Sequence, residues 1–188
     1  ILEDAPQNRL PVKTYVCQEN DGLIKEVISR ELARDGQVYF LHNRIDTIYS
    51  VAGKLKKMFP NITVGVAHGS MDANQIADVM NDFYDKKIEI LVSTSIIESG
   101  LDVPNVNTII VEDSQNFGLA QLYQIKGRVG RSNRLAYAYL LYRDYDRISD
   151  EGRKRLKALK DFTELGSGYK IAQQDLAIRG SGNILGSE

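Results

Sequence analysis

The sequence predicts an α/β fold in which one parallel sheet is flanked by helices. Three observations carry that expectation. Short apolar runs rich in β-branched residues alternate with helix-period segments from Val12 to Tyr142, the order that builds a parallel sheet with crossover helices. Several runs are apolar at consecutive positions rather than at every second one, as strands covered on both faces must be. The chain has 188 residues, 43% hydrophobic and 26% charged, enough for one domain of ordinary size plus an appendage.

The first predicted strand, Val12 to Cys17, is followed by Leu23, Val27, Ile28 and Leu32 at helical spacing, and Gly36 stands where a left-handed C-terminal cap is expected. The second, Val38 to Leu41, leads into Ile45, Ile48, Tyr49, Ala52, Leu55 and Phe59, one apolar stripe ended by Pro60. After the third, Ile62 to Ala67, a helix begins near Asp72, where Gln75 completes a capping box. Ile88 to Ser93, Thr108 to Val111 and Ala136 to Tyr142 complete the strands, with Leu119, Leu122 and Tyr123 at helix period before the last. Beyond Tyr142 the pattern changes. Leu156, Leu159 and Phe162 recur at spacing three along a helix bearing Arg153, Lys154, Arg155, Lys157 and Lys160. Gly166 and Gly168 break it, and Ile171 to Ile178 forms a second amphipathic stretch. This reads as a helical hairpin over 146–188 packed on a domain of 1–145, with 1–11 as a leading linker. The basic helix face reads as solvated surface or as a DNA contact.

The formal net charge is -1, so bulk electrostatics does not point to nucleic acid, and any such contact must be local. No apolar run approaches the roughly 20 residues of a membrane span. Cys17 is the only cysteine, which excludes an internal disulfide and points to a reducing, cytoplasmic setting. The stretch Ile1 to Arg9 lacks the order of a signal peptide and begins without Met, so an excised piece of a longer chain is expected. Two histidines and one cysteine offer no zinc spacing. No bound metal is expected, and His42 and His68 are expected to be satisfied structurally.

Two segments carry chemistry. Gln124 to Arg131 reads QIKGRVGR, with two arginines three residues apart and a glycine before each. A guanidinium is planar, permanently charged and able to bind phosphate oxygens in pairs, which suits charge on a transferring γ-phosphoryl group. Arg128 and Arg131 also read as surface ion-pair partners. Ser93 to Pro104 reads STSIIESGLDVP after an apolar strand. Ligands bind beyond the carboxyl ends of parallel strands, where the hydroxyls of Ser93, Thr94 and Ser95 suit phosphate oxygens of a nucleic acid. Gly100 and Asp102 offer a tight turn and a carboxylate for a ribose hydroxyl, or a turn with a capping Asp.

Together, a QxxGRxGR segment about thirty residues after a strand-end ST followed by GxDxP resembles motifs V and VI of superfamily 2 helicases. The likeness to their second RecA-like lobe runs from Val12 to Tyr142 and includes VYFLHNR at Val38 to Arg44 and AHGSM at Ala67 to Met71. Residues 155–186, with FTELGSG and DLAIRGSGN, resemble the helical hairpin that follows motif VI in two bacterial double-stranded DNA translocase families, transcription-repair coupling and RecG branch migration. FTELGSG and QNRLPVKTYV resemble the coupling family more.

The resemblance implies a RecA-like parallel sheet with a C-terminal helical hairpin. It implies that Arg128 and Arg131 reach a nucleotide across a lobe interface that Gln124 helps close, with Gly100 and Asp102 near the nucleotide. It places Ser93, Thr94, His68, Gly69 and Arg44 toward DNA, and makes Arg155 and Arg179 coupling residues. The family's hairpin motif continues to a glutamine beyond Glu188, so coupling within this chain is expected to be incomplete.

A phosphate loop needs G-x-x-x-x-G-K-[ST], and no such run occurs: Gly53 and Lys54 precede Leu55 inside a helical stripe. Glu112 and Asp113 end a strand as a metal-binding pair would, yet read as structural. ATP and Mg²⁺ are therefore expected to be held mainly by a preceding RecA-like lobe of the same polypeptide, with no cofactor held by this chain alone. The implied partners are that lobe, double-stranded DNA, and RNA polymerase and excision-repair proteins through other domains, with no membrane. A RecG-type lobe and a catalytically idle binding or regulatory module are the alternative readings.

Overall fold

Consecutive apolar residues in a strand point alternately to the two faces of a sheet, so each such run needs cover on both sides. The computed structural model describes residues 12–95, 103–118, 121, 124 and 134–163, the side chains of 159–163 excepted, and in it six strands meet this requirement. In chain order the elements are β1 (Val12–Gln18), α1 (Asp21–Ala33), β2 (Gln37–Leu41), α2 (Ile48–Met58), β3 (Val64–Ala67), α3 (Ala73–Tyr84), β4 (Ile90–Ser93), β5 (Val106–Val111), β6 (Ala136–Tyr142) and α4 (Asp150–Thr163). Every pairing is parallel, and the strand order is β1-β6-β5-β2-β4-β3. Val38, Phe40, Ile90, Val92, Ile110 and Leu141 share one core with residues of α1 and α2. The alternate residues Tyr39, Leu41, Leu91, Ile109 and Leu140 share the other with Met80 and Phe83 of α3 and Leu156 of α4. All six predicted strands are present.

The ends of elements follow local chemistry. Asn20 caps α1, its Oδ1 accepting from Leu23 N at 2.7 Å. Asp72 and Gln75 form the predicted capping box on α3. The left-handed residue after α1 is Asp35, with φ 62°, not Gly36 as expected. Asp35 N donates to Leu32 O and Gly36 N to Glu31 O, both at 3.0 Å, the paired bonds of a Schellman ending. Gly36 is required for a different reason: a Cβ there would lie 1.7 Å from Glu31 Oε2.

Two further expectations need correction. The stripe along α2 is only partly a core stripe: Ile48 and Leu55 are buried, whereas Ile45 is 44% and Tyr49 58% exposed. The short 3-10 turn Ile45–Thr47 before α2 re-aims Ile45, and Tyr49, one residue after Ile48, lies about 100° round α2 from it, at the margin of the stripe. Strands β3 and β4 start two residues later than their apolar runs, because Ile88 N bonds back to Asp82 O at the end of α3, and Thr63 O receives both Glu89 N and Ile90 N.

Helix α4 lies where the first arm of a hairpin over 146–188 is expected, and the rest of that stretch, from residue 164, lies outside the described residues. Leu156 is fully buried. Only part of the basic face is solvated. Arg153 lies over the Tyr145 ring at 4.5 Å and Arg155 Nε donates to Gln115 O at 3.0 Å, while Lys154 and Lys157 are exposed. Among the described residues no helix is long and apolar enough to cross a membrane.

Candidate functional site

Because all six strands run the same way, all six end at one edge. The residue immediately after each strand, taken across the sheet, gives Glu19, Arg143, Glu112, His42, Thr94 and His68. Backbone bonds carry the ladder one step further to hold this row: Glu19 N to Tyr142 O at 2.8 Å, Glu112 N to Leu41 O at 3.0 Å, His42 N to Ser93 O at 2.8 Å and Thr94 N to Ala67 O at 3.3 Å. Sequence reasoning singled out Thr94 and His68 as candidate contacts and passed over Glu19 and Arg143. Their signal was present: each is the first charged residue after an apolar run.

The half of the row from Glu19 to His42 is mostly paired within the protein, although Glu19 Oε1 is buried without a hydrogen-bond partner. His42 Nδ1 donates to Glu112 Oε1 at 2.7 Å and its Nε2 accepts from Thr47 Oγ1 at 2.6 Å, both His42 and Glu112 being buried. This is the structural role expected for His42. Burial, and then the nearby Arg143 guanidinium, holds the imidazole below its usual range despite the carboxyl at Nδ1. Burial first, then the hydrogen bond to Glu112 and the charge of that carboxylate, raise Glu19 to about 8. Glu19 therefore keeps its proton at neutral pH, beside the Glu112 carboxylate. Asp113, in a left-handed conformation at φ 49°, faces Arg143 Nη2 at 3.4 Å. With Glu112 spent on Glu19 and His42, and Asp113 turned to Arg143, this acidic pair does not fit Mg²⁺. Among the described residues no group of three potential ligands is placed to hold a metal ion.

A pH dependence follows. Folded Glu19 binds its proton up to about pH 8 and unfolded Glu19 only up to about 4.5, so its stabilising contribution is complete below the unfolded value and is lost as pH rises through the folded one. The Glu19→Gln variant keeps a donor but cannot ionise. Urea unfolding between about pH 5 and pH 9 is expected to show the unmodified chain losing stability relative to this variant, by on the order of 1–3 kcal/mol after allowance for partial exposure. Parallel profiles would show that no proton is shared.

The other half of the row is more open. Ser93 is fully buried and its Oγ has no hydrogen-bond partner, so in this conformation its hydroxyl is enclosed and does not face a ligand. Thr94 is 7% exposed, and Ser95 is exposed. His68 is half-buried and Gly69 exposed. Arg44 is exposed, yet its guanidinium meets Asp46 through Nη2 to Oδ2 at 3.0 Å and Nε to Oδ1 at 3.3 Å.

At the opposite, amino edge the chain enters β5 and β6. Gln37 N donates to Asn105 O at 3.1 Å, and Asn105 Nδ2 donates to Asp35 O at 3.0 Å. Arg34 Nη2 donates to Leu135 O at 2.6 Å, and Arg134 Nη1 to Arg34 O at 2.8 Å. The corner between α1 and β2 thus holds Asn105, three residues after Asp102 in the sequence, and Arg134 and Leu135, three and four residues after Arg131. Gln124 is helical and exposed. Gly100, Asp102, Arg128, Arg131 and Arg179 lie outside the described residues. Arg155, expected to couple movement, is tied to the backbone of the turn after β5.

Residues 19–133 match the family described as helicase conserved C-terminal domain. The chain is 53% identical over all 188 residues to a transcription-repair-coupling factor of Bacillus subtilis (strain 168) and 49% identical to one of Staphylococcus aureus (strain USA300). In each case it spans 16% of the relative's length. Among solved structures, RecG bound to a three-way DNA junction matches 89% of this chain and 22% of its own, at 34% identity and a TM-score of 0.71. The C-terminal domain of the DEAD-box protein Dbp5, at 19% identity and a TM-score of 0.59 over 81% of this chain and 85% of its own, shares the fold. The six-stranded parallel sheet with flanking helices is thus the RecA-like architecture that the sequence led us to expect.

Proposed function

The chain belongs to the helicase conserved C-terminal domain family, and from that premise we propose that it is the second motor lobe of an ATP-dependent double-stranded DNA translocase. In this reading the translocase displaces stalled RNA polymerase and couples transcription to nucleotide excision repair. The observation that carries the choice is that identity to the coupling factors extends over the whole chain and exceeds that to RecG.

In this reading residues 1–145 form the lobe, with 1–11 a linker, and 146–188 the translocation hairpin. ATP supplies the energy of γ-phosphoryl transfer and is held, with Mg²⁺, mainly by a preceding lobe. Arg128 and Arg131 set fixed positive charge against its phosphate chain, Gln124 closes the interface, and Gly100 and Asp102 flank the nucleotide. Two features support this division: Asn105 and Arg134, each three residues further along the sequence than Asp102 and Arg131, lie at the amino edge of the paired strands β5 and β6, while Thr94 and His68 stand at the carboxyl edge. In this reading a nucleotide side is separate from a DNA side on which Thr94 and Gly69 contact the backbone, His68 and Arg44 flank that contact, and Ser93 supports Thr94 from beneath. Arg155 and Arg179 link the hairpin to the lobe. RNA polymerase and excision-repair proteins are bound by other parts of the polypeptide, in the cytoplasm.

The full-length protein with ATP is expected to release a stalled transcription complex, and the 188-residue chain alone to turn over no ATP with or without duplex DNA. The fold shared with RecG favours a second reading, a branch-migration lobe. Processing of branched forks without polymerase release selects that alternative. Release that survives replacement of both Arg128 and Arg131 by Ala instead selects an idle module.

A further inference from the structure

The open half of the carboxyl edge carries an aromatic side chain that packing does not account for. Tyr49, in the first turn of α2, is 58% exposed, and its ring meets that of His68 edge to face, with centroids 5.7 Å apart and an interplanar angle of 82°. Ser70 N donates to His68 Nδ1 at 3.2 Å. An imidazole nitrogen that accepts from an N–H carries no proton, so the ring proton sits on Nε2. Nε2 lies 3.1 Å from Tyr49 Oη and donates to it. Both nitrogens of His68 are therefore used inside the molecule. The phenol accepts the His68 bond and still has its own O–H to donate, on a side chain that is 58% exposed.

We propose that the Tyr49 hydroxyl, and not the His68 imidazole, is the donor that this corner offers to a phosphodiester oxygen of DNA, with His68 as the positioning residue that orients it. The inference rests on the reading that this edge faces nucleic acid. Three features support it. His68 follows Ala67, which pairs in register with Ser93, so the corner lies one strand spacing, about 4.8 Å, from Thr94. Gly69, next to it, is open: a Cβ there would find only Ile45 Cδ1, at 3.9 Å. The nearby cation, Arg44, already faces Asp46, and the whole chain carries a formal charge of only -1. Neutral donors then have a place in backbone binding here, and a tyrosine hydroxyl is one that commonly contacts phosphates.

The test is duplex DNA affinity of the full-length protein across a salt series. Tyr49→Phe keeps the ring against His68 and removes only the hydroxyl. Affinity is expected to fall about three- to tenfold, with the slope of log affinity against log salt unchanged, because no counterion-releasing charge is lost. His68→Leu is expected to lose less, and the double variant to match Tyr49→Phe within about twofold, since His68 acts through Tyr49. Thr94→Val serves as the benchmark for the edge itself. If it weakens binding while Tyr49→Phe stays within about twofold of the unmodified protein, the proposal is overturned and the edge reading stands. A larger loss from His68→Leu than from Tyr49→Phe also overturns it. If the unmodified protein does not bind duplex DNA, or neither Thr94→Val nor Tyr49→Phe weakens binding, both fail.

Discussion

Arg131→Ala in the full-length protein is expected to cut ATP turnover by about 10³- to 10⁵-fold, the range over which an arginine finger contributes. That corresponds to roughly 4 to 7 kcal/mol of barrier. The physical reason is charge development: as the γ-phosphoryl group transfers, its oxygens carry charge that a guanidinium neutralises at two points at once in a water-poor cleft. Lysine at this position is not expected to restore turnover, because it offers a single strongly hydrated charge instead of a planar fork. The substitution should leave the lobe folded, since the chain beyond it is anchored independently through Arg134 and Leu135. Urea unfolding of the variant should therefore match that of the unmodified protein. Turnover above about a tenth of the unmodified rate would rule out the assignment.

The largest effect on stability is expected from Glu31. It lies in the last turns of α1, 1% exposed. Its carboxylate accepts from Arg34 Nε at 2.9 Å and Arg34 Nη2 at 2.7 Å, and from the Thr108 hydroxyl of β5. Arg34 in turn holds Leu135, at the start of β6. One carboxylate thus joins a helix end to two adjacent strands. Removing it leaves a partly buried guanidinium and a buried hydroxyl without their acceptor, a type of loss that costs about 3–5 kcal/mol. Glu31→Ala is expected to destabilise by that amount in urea unfolding. Glu31→Gln should lose less, because its amide oxygen still accepts one bond. Gly36→Ala should also destabilise, since its Cβ would displace the same carboxylate. A Glu31→Ala change below about 1 kcal/mol would show that the network contributes little.

Tertiary partners explain where the sequence reading was right and where it erred. The strands were legible because double-sided burial leaves a mark at every position, as in Ile90, Leu91 and Val92. Asp72 and Gln75 were legible because a capping box is closed within one turn. The cap at Asp35 was placed one residue late, at Gly36, because glycine is the commonest left-handed residue. Here the glycine was required by a side chain lying over it. Tyr49 fits a core stripe by its spacing, but one position after Ile48 in α2 it lies about 100° round the helix from that buried residue and is exposed.

From the sequence alone came the order of strands and helices, the lack of a phosphate loop and the chemistry of QIKGRVGR, all properties of neighbouring residues. Only the tertiary structure decided which polar groups remain free. His42 is paired with Glu112 across 70 positions, Glu31 with Thr108 across 77 and Tyr49 with His68 across 19. Such pairings follow no local period, and a donor already used inside the protein has nothing left to offer a ligand.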